Sequence, residues 1–171
     1  GLQLMRTEGL ELWQRLAVLG VFCERLSELI SNRGHSQVPA LLQSFTEIVE
    51  SGAAVAALAD MQANHAGQAK VFAFFWCAKA KRSVSPVQNK VVAAIAHGFG
   101  ATSLNGEVSA EQVVERYTLG VSRLPQALEA APHLLENYVL NEMFRELFPM
   151  GGANPYDQYL QLISRFGLIR L

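Results

Sequence analysis

LENYVLNEMFRELFP, Leu135 to Pro149, is the stretch that decides the fold. Leu140, Met143, Phe144 and Leu147 recur at three- and four-residue spacing, the period of an α-helix with one buried side. Asn137, Asn141 and Arg145 recur every four residues and so share another face, with Tyr138 beside the first of them. Pro149, Gly151 and Gly152 stop this helix, and Asn154 with Pro155 starts the next, PYDQYLQLISRFGLIRL, which runs to Leu171. That run reaches Leu171 with no polar cap, and Gly1 stands in place of an initiator Met. We therefore expect a piece of a longer protein.

The same period continues upstream. Leu12, Leu16, Leu19, Cys23, Leu26 and Ile30 form an apolar stripe, and Trp13, Val21, Phe22 and Leu29 widen it, which predicts a first long helix buried on more than one side. Residues 31–34, SNRG, end it. Pro39 suits the first turn of a second helix carrying Leu42, Phe45, Ile48 and Val49. The Ala-rich run from Ala53 to Ala59 either continues that helix past Gly52 or begins another. Phe72, Phe74, Phe75 and Trp76 crowd one apolar segment and are expected in the core. Ser85 and Pro86 read as a cap and first turn, and Ser109 with Gln112 has capping-box spacing for a helix to about Ala130, with Pro132 starting the one after. Gly98 to Gly106 is turn-rich. No alternating strand pattern is found. The expectation is an all-α fold, a single compact domain over residues 1–171 with about six to eight helices.

Composition narrows the function. Half the residues are hydrophobic, 17% are charged and the net charge is −1, which argues against nucleic acid or an anionic membrane as partner. A free-standing domain carries about 25% charged residues, so some apolar surface is expected to face a partner. No apolar stretch approaches the roughly 18 to 20 residues of a membrane span. Cys23 and Cys77 are isolated thiols, 54 positions apart. They form neither a metal site nor a disulfide framework, which suits a reducing cytoplasm.

Catalytic signatures are missing: no CxxC, HExxH, GxSxG or P-loop occurs. The loop at Gly98 and Gly100 follows a helix rather than a strand, and so reads as a plain turn rather than a cofactor cradle. His35, His65, His97 and His133 lack i, i+4 partners and read as capping or solvated groups. Asn137, Asn141 and Arg145 are the better candidates. Their row can hold an extended peptide by its amides or a carboxylate by the guanidinium fork, or else fix neighbouring helices in register. Tyr156, Asp157 and Tyr159 form a second polar-aromatic cluster, with Asp157 near the positive end of its helix.

With Glu136, Asn137, Tyr138, Asn141, Phe144, Phe148 and Pro149, then Tyr159, Leu160 and Arg165, the chain resembles the C-terminal part of bacterial flagellin lysine-N-methylases, the FliB family. LWQRLAVLGVFCERL, from Leu12, is weakly similar to the helix preceding that region. The specific match covers the last 37 residues. The resemblance implies the C-terminal helical domain of an enzyme that transfers a methyl group from S-adenosylmethionine to flagellin lysines in the bacterial cytoplasm. It implies substrate docking, or completion of the active site, through Asn137, Tyr138, Asn141, Arg145, Tyr159 and Arg165. Family members carry an N-terminal cysteine cluster, an iron–sulfur or metal site. No counterpart occurs in this sequence, so that site is expected in a missing N-terminal domain, and the fragment is expected to be inactive alone. Deprotonating a lysine amine needs a base or desolvation, and Tyr138 or Glu142 are the groups at hand. A non-catalytic helical protein-interaction module is the alternative.

Overall fold

The computed structural model describes residues 1–80, 85–101 and 108–169, with side chains for all of these except 75–80 and 168. Among the described residues are nine α-helices and no strand: α1 (Leu2–Met5), α2 (Leu12–Ser31), α3 (Val38–Glu50), α4 (Ala53–Leu58), α5 (His65–Ala80), α6 (Pro86–Gly98), α7 (Ala110–Ala127), α8 (Leu134–Arg145) and α9 (Pro155–Ile169). A 3₁₀ turn, His35–Gln37, leads into α3. Seven helices have twelve or more residues, as the periodicity predicts, whereas α1 and α4 are shorter than two turns. The side chains of Phe75, Trp76 and Cys77, and residue Gly106, lie outside the described residues.

The chain divides into two compact units, the first formed by Gly1–Met61 and His133–Phe166. Its main core joins Met5, Leu16, Leu19 and Cys23 to Val139 and Met143 of α8 and to Leu162 and Phe166 of α9. A second cluster, Leu10, Val18, Ala54 and Leu58, packs with Phe45 and Val49 on another side of α2. The helix is thus buried on two faces, as its widened stripe predicts. Val21 is the exception at 51% exposed. It lies about 200° round the helix from Leu19, on a side that the described elements leave half open. Gly52, with φ of 75°, breaks the chain between α3 and α4, so the alanine run begins a helix of its own.

Arg15 stitches this unit together. Its Nε donates to the Leu10 carbonyl at 2.8 Å, and one terminal nitrogen reaches both the Met5 carbonyl and Glu136 Oε2, the latter at 3.1 Å. One guanidinium therefore satisfies the carbonyl that ends α1, a loop carbonyl before α2 and a carboxylate on α8.

The second unit comprises Gln62–Pro132 and the residues from Gly167 onward. Ala69, Phe99, Val113 and Tyr117 form its core, with Phe72 and Ile95 against them. Tyr117 donates to Gln68 Oε1 at 3.0 Å. Both predicted caps are present: Ser85 Oγ accepts from the Gln88 amide and Ser109 Oγ from the Gln112 amide. Phe74 departs from expectation at 72% exposed. It is two positions from Phe72, on nearly the opposite side of α5 from the core that Phe72 packs against. The helix from Ser109 ends at Ala127 and includes Pro125, and α8 begins at Leu134, two residues past the proline expected to start it.

Candidate functional site

The site residues expected from sequence fall on α8 and α9 of the first unit, and these two helices meet through charge as well as apolar packing. Val139 and Met143 put one side of α8 in the core. Glu142 lies on the edge of that side and is itself buried. A buried carboxylate is costly unless paired and hydrogen-bonded. Arg145, one turn on, donates to Glu142 Oε2 at 2.6 Å, and Arg165 of α9 donates to the same oxygen at 3.1 Å. Both guanidiniums also reach Glu146 Oε1, at 2.9 and 2.8 Å. Two carboxylates and two guanidiniums thus close a four-member network across the α8–α9 seam.

The network accounts for the local electrostatics. Hydrogen bonds from Arg165 and then Arg145 hold the Glu146 carboxyl below its ordinary range. Arg165 is raised in turn, first by its bond with Glu146. Burial raises the Tyr138 phenol and the Glu142 charge adds to this, against the lowering effect of Arg165 and Arg145. A phenol that resists ionisation is a poor base for a lysine ammonium, and the Glu142 carboxylate is already occupied by two guanidiniums.

Tyr159 faces the other way. Its ring lies on Gly20 of α2 and stacks on Tyr156 with centroids 5.9 Å apart. Burial, followed by the neighbouring Tyr156 and Cys23, pushes its phenol up to about 12. The start of α9 is fixed beside it: Ser27 Oγ donates to Asn154 Oδ1 at 2.7 Å and accepts from the Tyr156 amide at 2.9 Å, while Asn154 Oδ1 also caps the Tyr156 and Asp157 amides. The Gln158 amide, turned so that both ends are satisfied, donates to the Pro149 carbonyl and accepts from the Gly152 amide, each at 2.8 Å. These bonds order the turn between the two helices.

Asn137 and Asn141 are left on the outer face of α8, both exposed, with no side-chain hydrogen bond among the described residues. Leu134 and Phe144 lie exposed on the same face, followed by Leu147 and Met150, so Phe144 and Leu147 depart from the buried side expected of them, which Val139 and Met143 occupy instead. The structure therefore separates the six expected residues. Asn137 and Asn141 point outward, Arg145 and Arg165 are engaged by carboxylates, and Tyr138 and Tyr159 are partly buried. Sequence reasoning missed Glu142 and Glu146 as the groups that organise the arginines. The available signal was a glutamate adjoining Met143 on the apolar side of an amphipathic helix, with a second glutamate one turn later.

Other expected groups are dispersed. His97 sits in the last turn of α6 and His133 precedes α8 without a side-chain cap bond, whereas His65 packs against Tyr117 with ring centroids 6.3 Å apart and has its Nδ1 buried without a hydrogen bond. The Cys23 thiol is wholly buried and pushed up to about 12, first by burial. It is suited neither to ligating a metal nor to attack. Among the described residues no three His, Cys, Asp or Glu side chains gather as a metal site.

Compared with known families, residues 2–171 match the FliB lysine N-methylase C-terminal domain. No curated protein and no solved structure matches.

Proposed function

The chain belongs to the FliB lysine N-methylase C-terminal domain family, and on that premise we propose that it docks the protein substrate for an enzyme that methylates flagellin lysines. The observation that carries this is the outer face of α8. Asn137 and Asn141 lie one turn apart, exposed and unbonded, between exposed Leu134 and Phe144. Each amide offers donors and an acceptor, so the pair can meet the N–H and C=O groups of an extended segment while the apolar neighbours bury its side chains. Arg145, Arg165, Tyr138 and Tyr159 serve this face indirectly, by fixing α8 against α9 and α9 against α2.

S-adenosylmethionine is the methyl donor we propose for the parent enzyme. The usual donor loop follows a strand and opens a helix, and the described residues contain no strand. The residues present do not fit that mode. Cys23, buried in the core, does not fit an iron–sulfur or metal site either. We assign both groups to the rest of the parent enzyme, the N-terminal domain with which this one works, and place the enzyme in the bacterial cytoplasm. Among the described residues no helix is long and apolar enough to cross a membrane.

The test is a calorimetric titration of flagellin into the chain and into an Asn137→Ala, Asn141→Ala variant. Both side chains are exposed, so the variant is expected to fold. Losing two hydrogen-bonding amides should weaken binding by about tenfold or more. Equal affinity for the two proteins, or no binding to either, would overturn the docking role.

A further inference from the structure

The first unit also contains a cleft away from the α8 face, with a volume of about 360 Å³, walled by α1, α2, α3 and the residues after α1. This is within the size range of small-ligand sites. Its chemistry is one-sided. Phe22 and Phe45 line it as an edge-to-face pair with centroids 5.3 Å apart. Glu8 and Glu50 stand at its rim, both exposed and neither with an ion pair or hydrogen bond among the described residues. Thr7 Oγ1 donates to the Gln3 carbonyl at 3.2 Å and Thr46 Oγ1 to the Leu42 carbonyl at 2.9 Å. Both threonines line the cleft, and with its proton committed each hydroxyl oxygen keeps lone pairs to accept with. No Lys, Arg or His lines it, and the cation present is the Gly1 amine, whose pKa burial lowers.

We propose that this cleft receives a lysine side chain, with Phe22 and Phe45 against the aliphatic stem and Glu8, Glu50 and the threonine oxygens around the ammonium. An apolar, aromatic channel with an anionic, acceptor-rich rim complements a long alkyl chain that ends in three N–H donors. It rejects carboxylates and phosphates, which would meet two unpaired carboxylates. The choice of lysine among cations rests on the family's lysine N-methylase character, and therefore on the functional reading above.

The experiment is an NMR titration of the chain, N-acetylated at Gly1 to remove its own amine, with a blocked Gly-Gly-Lys-Gly-Gly peptide. Norleucine and arginine versions of the peptide run alongside. The lysine peptide should shift amide signals of Thr7, Phe22, Phe45 and Thr46, and the uncharged norleucine peptide should bind about five- to tenfold more weakly. In a Glu8→Gln, Glu50→Gln variant the lysine peptide should fall to the norleucine level. Equal binding of lysine and norleucine, shifts elsewhere or none, or an unaffected variant would each overturn the proposal. Equal binding of arginine would overturn the assignment to lysine. The titration contains no flagellin and leaves Asn137 and Asn141 untouched, so its failure is distinguishable from failure of the docking role.

Discussion

Tyr159 rests directly on the backbone of Gly20. A β-carbon at Gly20 would stand 2.5 Å from the tyrosine Cζ and hydroxyl oxygen. The close approach of α9 to α2 is therefore possible because residue 20 has no side chain, although glycine is a poor residue for a helix interior.

Gly20→Ala should destabilise the protein by about 1–3 kcal/mol, because the cost of overpacking exceeds the gain in helix propensity. Gly120→Ala is the control. It lies inside α7 with nothing within 4 Å of the added carbon, and should stabilise by about 0.5–1 kcal/mol. Urea unfolding of the two variants should give midpoints displaced in opposite directions.

The buried Tyr159 phenol and Cys23 thiol set the alkaline limit. Both have folded-state pKa values raised to about 12, from ordinary values of 10 and 9. Folding retains their protons, so the stability they contribute is complete below pH 9 and is lost as pH rises toward 12. Tyr159→Phe and Cys23→Ala should each flatten the fall in stability over that window. Denaturant midpoints at pH 8 and pH 11 would measure it, and an unchanged difference in both variants would count against the assignment.

Glu146 acts at the other limit. Its folded-state pKa lies below the ordinary 4.5 because two arginines donate to it. The stabilisation it brings is full above pH 4.5 and is lost as pH falls through the lower folded value. Glu146→Gln should reduce the stability difference between pH 6 and pH 3, followed by circular dichroism during acid titration, while the wild type retains the full difference.

Asn154→Ala should cost about 1 kcal/mol or more, since the side chain caps α9 and accepts from Ser27 as well. A double-mutant cycle with Ser27→Ala should show coupling, because the two groups share the Tyr156 amide. Strict additivity in thermal unfolding would mean that the cap works without its partner on α2.

Helix periods and caps were readable because they are local. Leu16, Leu19, Cys23 and Leu26 are buried at the spacing in which they are written, and Ser85 and Ser109 cap where the pattern of their neighbours predicts. Asn137 and Asn141 were readable as a shared face, and the structure places both on the outside of α8. The fate of Arg145 and Arg165 was not readable. Arg165 meets Glu142 across 23 positions of chain, and only the docking of α9 on α8 decides that pairing. Val21 and Phe74 misled for a related reason: hydrophobicity marks what can be buried, whereas the number of neighbouring elements determines which sides are covered.

The α8–α9 network contains as many guanidiniums as carboxylates, so it cancels its own field at the distance of an approaching partner. Attachment to Asn137 and Asn141 should then show little dependence on ionic strength. With Gly1 acetylated, the cleft lined by Glu8 and Glu50 has no such cancellation. Raising salt from about 0.1 M to about 1 M shortens the screening length from about 10 Å to about 3 Å, which should loosen a lysine there while leaving the asparagine face unaffected. Added salt thus separates two modes of recognition on one helical unit without altering a residue.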